Sequence, residues 1–303
     1  MRWTIEHPDG LVRPYWEWEP EDCNMESVDA NRFCSVTRGF KGILLVGDSL
    51  SRLMTTTLGS VLSAELLEEH HEGDRWSACD GKLQIRYIRN DYLDVRTRRD
   101  FPTGKCEHTD GKPGDNTVCG VFATDETLKD FDVIIVNSGA HPRRTAEYKK
   151  EMRKTSRFLA QSMERLHGKD QAFMVFRNTV PGHWGCTDIV FDGPVTRREA
   201  RQRIAEAPEK YHWPNFRLEN LKVEEVFLSD GWHLLDAYTS TVLRSDSHIG
   251  GRDCLHYCVP GPADTWVVML YNMLAARAER VAAGYNNPEP SSRGRNIVRD
   301  GWR

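Results

Sequence analysis

No stretch of this 303-residue sequence approaches the ~20 consecutive apolar residues that a membrane-crossing helix requires. The longest runs, such as Ile43-Leu44-Leu45-Val46, have the length of a strand, so no membrane span is expected within this chain. An excess of positive charge is also missing. Lys and Arg number 41 against 45 Asp and Glu, a formal net charge of −4, which leaves no basic field to hold a phosphate backbone, and nucleic acid is not expected as a partner. There is no CxxC pair, no Asn-x-Ser/Thr sequon and no internal repeat. The first residues, 1–8, lack the apolar centre of a secretory leader, so the expectation is a cytosolic protein or a chain that starts after a removed leader.

What remains is the composition of an ordinary globular chain: 39% hydrophobic, 28% charged and 10% aromatic. No linker divides it. A single domain over residues 1–285 is expected, followed by a Pro- and Ser-containing tail, 286–303, expected to be mobile. The eight cysteines (23, 34, 79, 106, 119, 186, 254 and 258) are scattered and even in number. Such a set suits disulfides in an oxidising compartment, although buried thiols would fit as well.

Apolar runs bounded by turn formers predict five strands, at 42–46, 83–88, 133–136, 173–176 and 234–237. Runs such as ILLV and VIIV suit strands buried on both faces, which implies a parallel sheet covered by helices. The expected fold is therefore a three-layer α/β/α sandwich with a parallel sheet of about five strands. Helical spacing of apolar residues predicts covering helices at 51–69 and 145–167. A last helix is predicted at 264–283, opening on the Asp264-Thr265 pair as a cap and ending at Gly284. Residues 103–116 read as a long surface loop pinned by Cys106 and Cys119.

Chemistry is suggested at two places. The first strand runs through Gly47-Asp48-Ser49-Leu50-Ser51-Arg52 directly into a helix. A serine at that turn stands at the carboxyl edge of the sheet, with the helix N-terminus available to stabilise negative charge. A simple Asp-Ser helix cap would give the same tripeptide. Near the other end, Asp253-Cys254-Leu255-His256 precedes the last helix. A serine needs a base to act as a nucleophile, and a histidine needs a carboxylate to hold its tautomer, so the two places together point to a Ser-His-Asp triad of Ser49, His256 and Asp253. Cys254, His256 and Cys258 are spaced by two and could face one metal, but no fourth ligand is indicated and none is expected.

GDSLSR at 47–52 and DCLHYCVPGPADTW at 253–266 resemble the two hallmark blocks of the PC-esterase and trichome-birefringence-like family, within the wider GDSL/SGNH hydrolase fold. Trp16-Glu17-Trp18-Glu19-Pro20, within a 15–40 segment, resembles the family's tryptophan-rich start. Further resemblances are Asp132 to His141, Phe176-Arg177-Asn178-Thr179 with His183, Leu234-Leu235-Asp236, and Arg244-x-Asp246-x-His248, all in the family's order. The resemblance implies a flavodoxin-like strand order. It implies Ser49 as nucleophile, His256 as base and Asp253 as its orienting partner. The oxyanion would fall to backbone N–H groups of Ser49 and Gly139. His141 stands where the SGNH pattern has an asparagine, as a hydrogen-bond donor or sugar contact. Asp48, Arg52, Asn137, Arg177 and His183 are expected to bind substrate, and Cys186 to pair with Cys254 or Cys258. Trp16, Trp18, Trp184 and Trp266 invite a sugar-stacking reading, with core packing the safer one for Trp266.

The expected activity is transfer of an acetyl group to a hydroxyl of a polysaccharide or glycan through an acetyl-serine. Hydrolysis by the same triad is the alternative, and a catalytically inactive glycan-binding protein is a second one. No bound cofactor is implied; an acetyl donor is the co-substrate. A monomer in the Golgi lumen, or secreted, is expected.

Overall fold

The structure, a computed structural model, describes residues 2–6, 15–20, 24–71, 73–96, 117–141, 145–169, 171–186, 193–251 and 253–284. The expected loop at 103–116 and the tail at 286–303 lie outside the described residues.

In chain order the elements are β1 (Arg2–Glu6), β2 (Tyr15–Glu19), α1 (Ala30–Val36), β3 (Gly42–Gly47), α2 (Ser49–Val61), β4 (Glu65–His70), β5 (Gly73–Ala78) and β6 (Leu83–Arg89). They continue with α3 (Asp125–Leu128), β7 (Val133–Val136), α4 (Thr145–His167), β8 (Phe173–Arg177), α5 (Arg197–Ala205), α6 (Phe216–Ser229) and β9 (His233–Leu235). The chain closes with α7 (Ala237–Thr241), β10 (His248–Gly250), β11 (Asp253–Tyr257) and α8 (Pro262–Ala282). The main sheet has seven strands in the order β4-β5-β6-β3-β7-β8-β9. β6, β3, β7, β8 and β9 pair in parallel, whereas β4 and β5 form an antiparallel edge. Renumbered among themselves, the five parallel strands run 2-1-3-4-5, the flavodoxin-like order, whose switch point falls between β3 and β7.

The core explains the three layers. Along β3, Ile43 and Leu45 join Leu50, Met54 and Leu58 of α2 and Trp266 and Leu270 of α8 on one face. Leu44 and Val46 join Met152 and Leu159 of α4 and Phe227 of α6 on the other. Alternate side chains of one strand thus feed both cores, which is why the run is continuously apolar.

Two helix expectations change. The helix at 51–69 stops at Val61, and Ser63, at φ +48°, turns the chain into β4. The glutamate-rich β4 is exposed at the sheet edge, and its pairing with β5 overrides a helical pattern that Leu66 had extended in sequence. The strand at 234–237 ends at Leu235, because the Asp236 carboxylate accepts the Thr239 N–H and caps α7. Helix α8 begins at Pro262, not Asp264; the Asp264 carboxylate instead accepts the Gly261 N–H at 2.6 Å, from inside the first turn.

Cys34–Cys79 ties α1 to the turn after β5, and Cys186–Cys254 ties the segment after β8 to β11. Cys119 is also disulfide-bonded, while Cys258 is a free thiol.

One buried contact predicts a pH dependence of stability. The Asn178 side-chain amide donates to both Glu224 Oε1 (2.9 Å) and Asp236 Oδ1 (2.7 Å). Burial first, and then the Asp236 charge, pushes the Glu224 carboxyl up to about 7. The folded protein therefore binds a proton that the unfolded chain has released. Stability is unaffected below the unfolded pKa near 4.3 and declines as pH rises toward about 7. Glu224→Gln is expected to stabilise the fold by about 1–3 kcal/mol near pH 8 and by far less near pH 4, measured by urea midpoints.

Candidate active site

The site forms at the switch point, where the carboxyl ends of β3 and β7 diverge. Gly47 closes β3 because no side chain fits there: a Cβ would stand 2.6 Å from the Asn137 carbonyl oxygen and 2.4 Å from Ser51 Oγ. Asp48 follows as the N-cap of α2, its Oδ1 accepting the Leu50 N–H at 3.0 Å. The Tyr87 hydroxyl points at the carbonyls of Gly47 and Asp48 (3.2 and 3.0 Å) and braces the turn. Ser49 is the first residue of α2, so its N–H lies among the helix-end donors that have no partner within the helix.

β11 brings in the other two groups. Ser49 Oγ lies 2.6 Å from His256 Nε2, and His256 Nδ1 lies 2.8 Å from Asp253 Oδ2. The remaining Asp253 oxygen accepts the backbone N–H groups of His256 (3.0 Å) and Leu255 (3.2 Å), which holds the carboxylate in place. The hydrogen bond from His256 and these N–H groups keep the Asp253 carboxyl well below the usual carboxylate range, against the opposing effect of burial. The same hydrogen bond raises His256, with burial acting against it. Side-chain exposures of 30% for His256 and 41% for Asp253 leave the pair open to the cleft.

Gly139 follows β7. At φ +136° it has space for no Cβ, which would stand 2.6 Å from Thr179 Oγ1. The Ser138 carbonyl accepts from the Tyr148 hydroxyl and Thr179 Oγ1, both at 2.7 Å. In a planar trans peptide the next N–H points the opposite way, so the Gly139 N–H is directed away from these two donors. Gly139→Ala is expected to lower thermal stability by several degrees and turnover by at least about tenfold, read by a melting curve and steady-state kinetics on the same preparation.

The other expected contacts resolve differently. His141 is partly exposed, with Nε2 3.5 Å from Asp91 Oδ1 and its ring edge-on to Tyr92. Asp48, Asn137, Arg177 and His183, expected to bind substrate, are buried. Asn137 donates to the Arg177 carbonyl (3.0 Å) and Thr179 Oγ1 (3.1 Å). The Arg177 guanidinium lies over the Trp266 ring and beside Ser51 Oγ, and burial lowers it to about 10. Arg52 remains 36% exposed, but Asp74 grips its fork at 2.9 and 3.0 Å and Glu69 at 2.9 Å, so it ties α2 to the edge hairpin. Among the tryptophans Trp18 and Trp266 are buried, Trp16 is partly so, and Trp184 is 42% exposed.

The sequence reading missed Arg89 and Asp91, at the end of β6. Asp91 is buried and receives the Arg89 fork at 3.0 and 3.1 Å as well as the Val118 N–H at 2.7 Å. The available signal was their place: Arg89 ends, and Asp91 follows, the strand that adjoins β3 on the side opposite β7.

A serine on a sheet-edge helix N-terminus, hydrogen-bonded to a histidine that is held by an aspartate, defines an esterase or acyltransferase. Comparison with known proteins gives the same class. Residues 143–273 match the PC-Esterase family, a GDSL/SGNH-like acyl-esterase family found in Pmr5 and Cas1p. Xyloglucan O-acetyltransferase 1 of Arabidopsis thaliana is 24% identical over 86% of this chain and 70% of its own length. Protein trichome birefringence-like 20 of the same plant is 23% identical over 86% of this chain and 63% of its own. Among solved structures, a protein assigned as an SGNH hydrolase from Slackia heliotrinireducens superposes over 77% of this chain and 98% of its own, at 15% identity and a TM-score of 0.41. The chain is similar to the PC-esterase and trichome-birefringence-like family, whose model it matches over residues 143–273.

Proposed function

We propose that this protein is a serine-dependent O-acetyltransferase that moves an acetyl group to a hydroxyl of a polysaccharide through an acetyl-serine intermediate. The observation that carries this reading is the Ser49–His256–Asp253 chain of hydrogen bonds, 2.6 and 2.8 Å long, at the switch point of the sheet.

In this mechanism His256 takes the Ser49 proton as Oγ attacks the acetyl donor, and returns it to the leaving group. A sugar hydroxyl then binds, gives its proton to His256 and attacks the acetyl-serine, which regenerates the free serine. Asp253 holds the Nδ1–H tautomer of His256 and stabilises the imidazolium formed in each half. The N–H groups of Ser49 and Gly139 donate to the oxyanion; the direction of the Gly139 N–H, away from the buried Tyr148 and Thr179 hydroxyls, supports its part. His141, on the rim beside Asp91, contacts the acceptor. Trp184 offers an exposed indole face to a sugar ring near the disulfide that anchors β11.

Transfer is favoured over hydrolysis by the similarity to a xyloglucan O-acetyltransferase. The disulfides Cys34–Cys79 and Cys186–Cys254 support an oxidising compartment, the Golgi lumen or the exterior. Among the described residues no helix is long and apolar enough to cross a membrane.

The test is mass spectrometry of xylan, mannan, pectin and xyloglucan oligosaccharides after incubation with an activated acetyl ester. Serine-dependent acetyl addition to a sugar establishes the transferase and identifies its acceptor. Serine-dependent release of acetate with every sugar unchanged assigns the protein as an esterase, and no serine-dependent product overturns both readings.

A further inference from the structure

Behind the catalytic strand lie two buried histidines that the proposed reaction does not use. His183 lies in the segment after β8, and His248 opens β10, the hairpin partner of β11. Their rings meet through His183 Nδ1 and His248 Nε2, 2.8 Å apart. Each outer nitrogen faces a backbone carbonyl: His183 Nε2 is 2.9 Å from Val242 O, and His248 Nδ1 is 3.0 Å from the carbonyl oxygen of His256 itself.

Proton counting decides what this chain holds. A carbonyl oxygen only accepts, so both outer nitrogens must carry hydrogen. Two neutral imidazoles have two ring protons between them, and the outer links use both. The inner nitrogens would then oppose two lone pairs at hydrogen-bond distance. A third proton between them closes all three links.

We propose that His183 and His248 share one added proton as an imidazole–imidazolium pair, and that this pair positions His256 through its backbone carbonyl. The consequence for turnover rests on His256 being the base; the shared proton does not.

The surroundings act in both directions. Asp246, itself paired with Arg244, faces His183, and Asp253 faces His248; both favour the added charge. Arg203 opposes it at His183, and His256 opposes it at His248. Burial is the largest opposing effect and pushes both rings down; the 2.8 Å link between the inner nitrogens, which only the shared proton closes, acts against it. As pH rises the pair gives up its third proton, and one of the three links must open. The same junction is held by the Cys186–Cys254 disulfide, by the His183 N–H donating to the Cys254 carbonyl (3.0 Å), and by the Tyr257 hydroxyl donating to the Pro181 carbonyl (2.6 Å). Loss of the proton therefore shifts β11 without unfolding it.

The test counts unprotonated ring nitrogens by NMR of the whole protein labelled with 15N-histidine, the signals of the pair being assigned by their loss in His183→Gln and His248→Gln. At the pH of greatest activity the two rings together should show one unprotonated nitrogen. A second should appear as pH rises, together with a fall in kcat. In His248→Gln the amide nitrogen has two hydrogens, one for His256 O and one for His183 Nδ1, so all three links close without charge. This variant should keep kcat within about threefold and lose that pH-dependent fall. His248→Phe keeps a ring against Tyr257 but donates nothing, and should lower kcat about tenfold with KM within about twofold. Two unprotonated nitrogens at every pH where the protein is folded would overturn the shared proton. An unaltered kcat–pH profile in His248→Gln would overturn the positioning role. If Ser49→Ala retained turnover the proposed function would fail, yet the nitrogen count would still decide the pair.

Discussion

Ser49→Ala is expected to lower serine-dependent acetyl transfer by at least about 10⁴-fold, with the fold intact. The Oγ is the only atom lost, and alanine is at home in the first turn of a helix. Asp48 still caps α2 through Leu50, and Tyr87 still braces the turn. His256 loses its 2.6 Å partner but keeps its bond to Asp253. Two measurements check this. Intact-protein mass spectrometry after brief exposure to an acetyl donor should find the wild type one acetyl group heavier and the variant unchanged. A melting curve should place the two proteins within a few degrees of each other. Full turnover by a well-folded Ser49→Ala would remove the nucleophile from the proposed reaction.

Asp253→Asn is expected to cost about 10³–10⁴-fold in kcat, and to shift the acid limb of the pH–rate profile. With Asp253 present, its hydrogen bond and charge raise His256, and burial only partly offsets them. The base is therefore neutral, and able to accept the serine proton, only above that raised value. Asparagine removes the charge, leaves burial unopposed, and lowers the His256 pKa, so the acid limb moves toward lower pH even as the plateau falls. The plateau falls because an amide does not stabilise the imidazolium and can present an N–H to Nδ1, which disfavours the tautomer that leaves Nε2 free. A profile of kcat/KM against pH for both proteins tests limb and plateau separately. A limb unmoved while the plateau drops would show that Asp253 acts on His256 by orientation alone.

The wall of the cleft beside β6 shows how tertiary pairing reassigns charged residues. Arg52 stands three residues from the nucleophile, and its sequence neighbourhood suggests a substrate contact. In the fold its fork is taken by Asp74 on β5 and by Glu69 on β4, which the expected helix had covered. Arg177 ends β8 and is expected in the cleft for the same reason, yet its guanidinium lies over the Trp266 ring with its charge near Asp48. In each case the residue sits at the expected end of its strand, and the direction of the side chain depends on partners that are distant in sequence.

Elements with an apolar face toward a core were legible. β7 at Val133–Val136 and α4 at Thr145–His167 fall at the expected residues, because burial on both faces of a central strand and on one stripe of a covering helix imposes its own period on the sequence. β4 and β5 were not, because the exposed edge strand β4 imposes no such period, and the backbone hydrogen bonds of β4 to β5 and of β5 to β6 decide the structure there. Helix starts moved where a cap depended on a neighbouring loop, as at Gly261 and Asp264.

The sequence by itself determined the class of fold, the place of Ser49 at the end of the first parallel strand, and the pairing of types in Asp253-x-x-His256, since each of these depends on local spacing. Tertiary structure alone decided that these two segments meet within 2.6 Å across 207 residues, that Cys186 joins Cys254 and not Cys258, and that His183 and His248 form a buried pair behind the base. The physical reason is the same for all three: a strand carries its own period, whereas a contact between distant segments exists only once packing has brought them together.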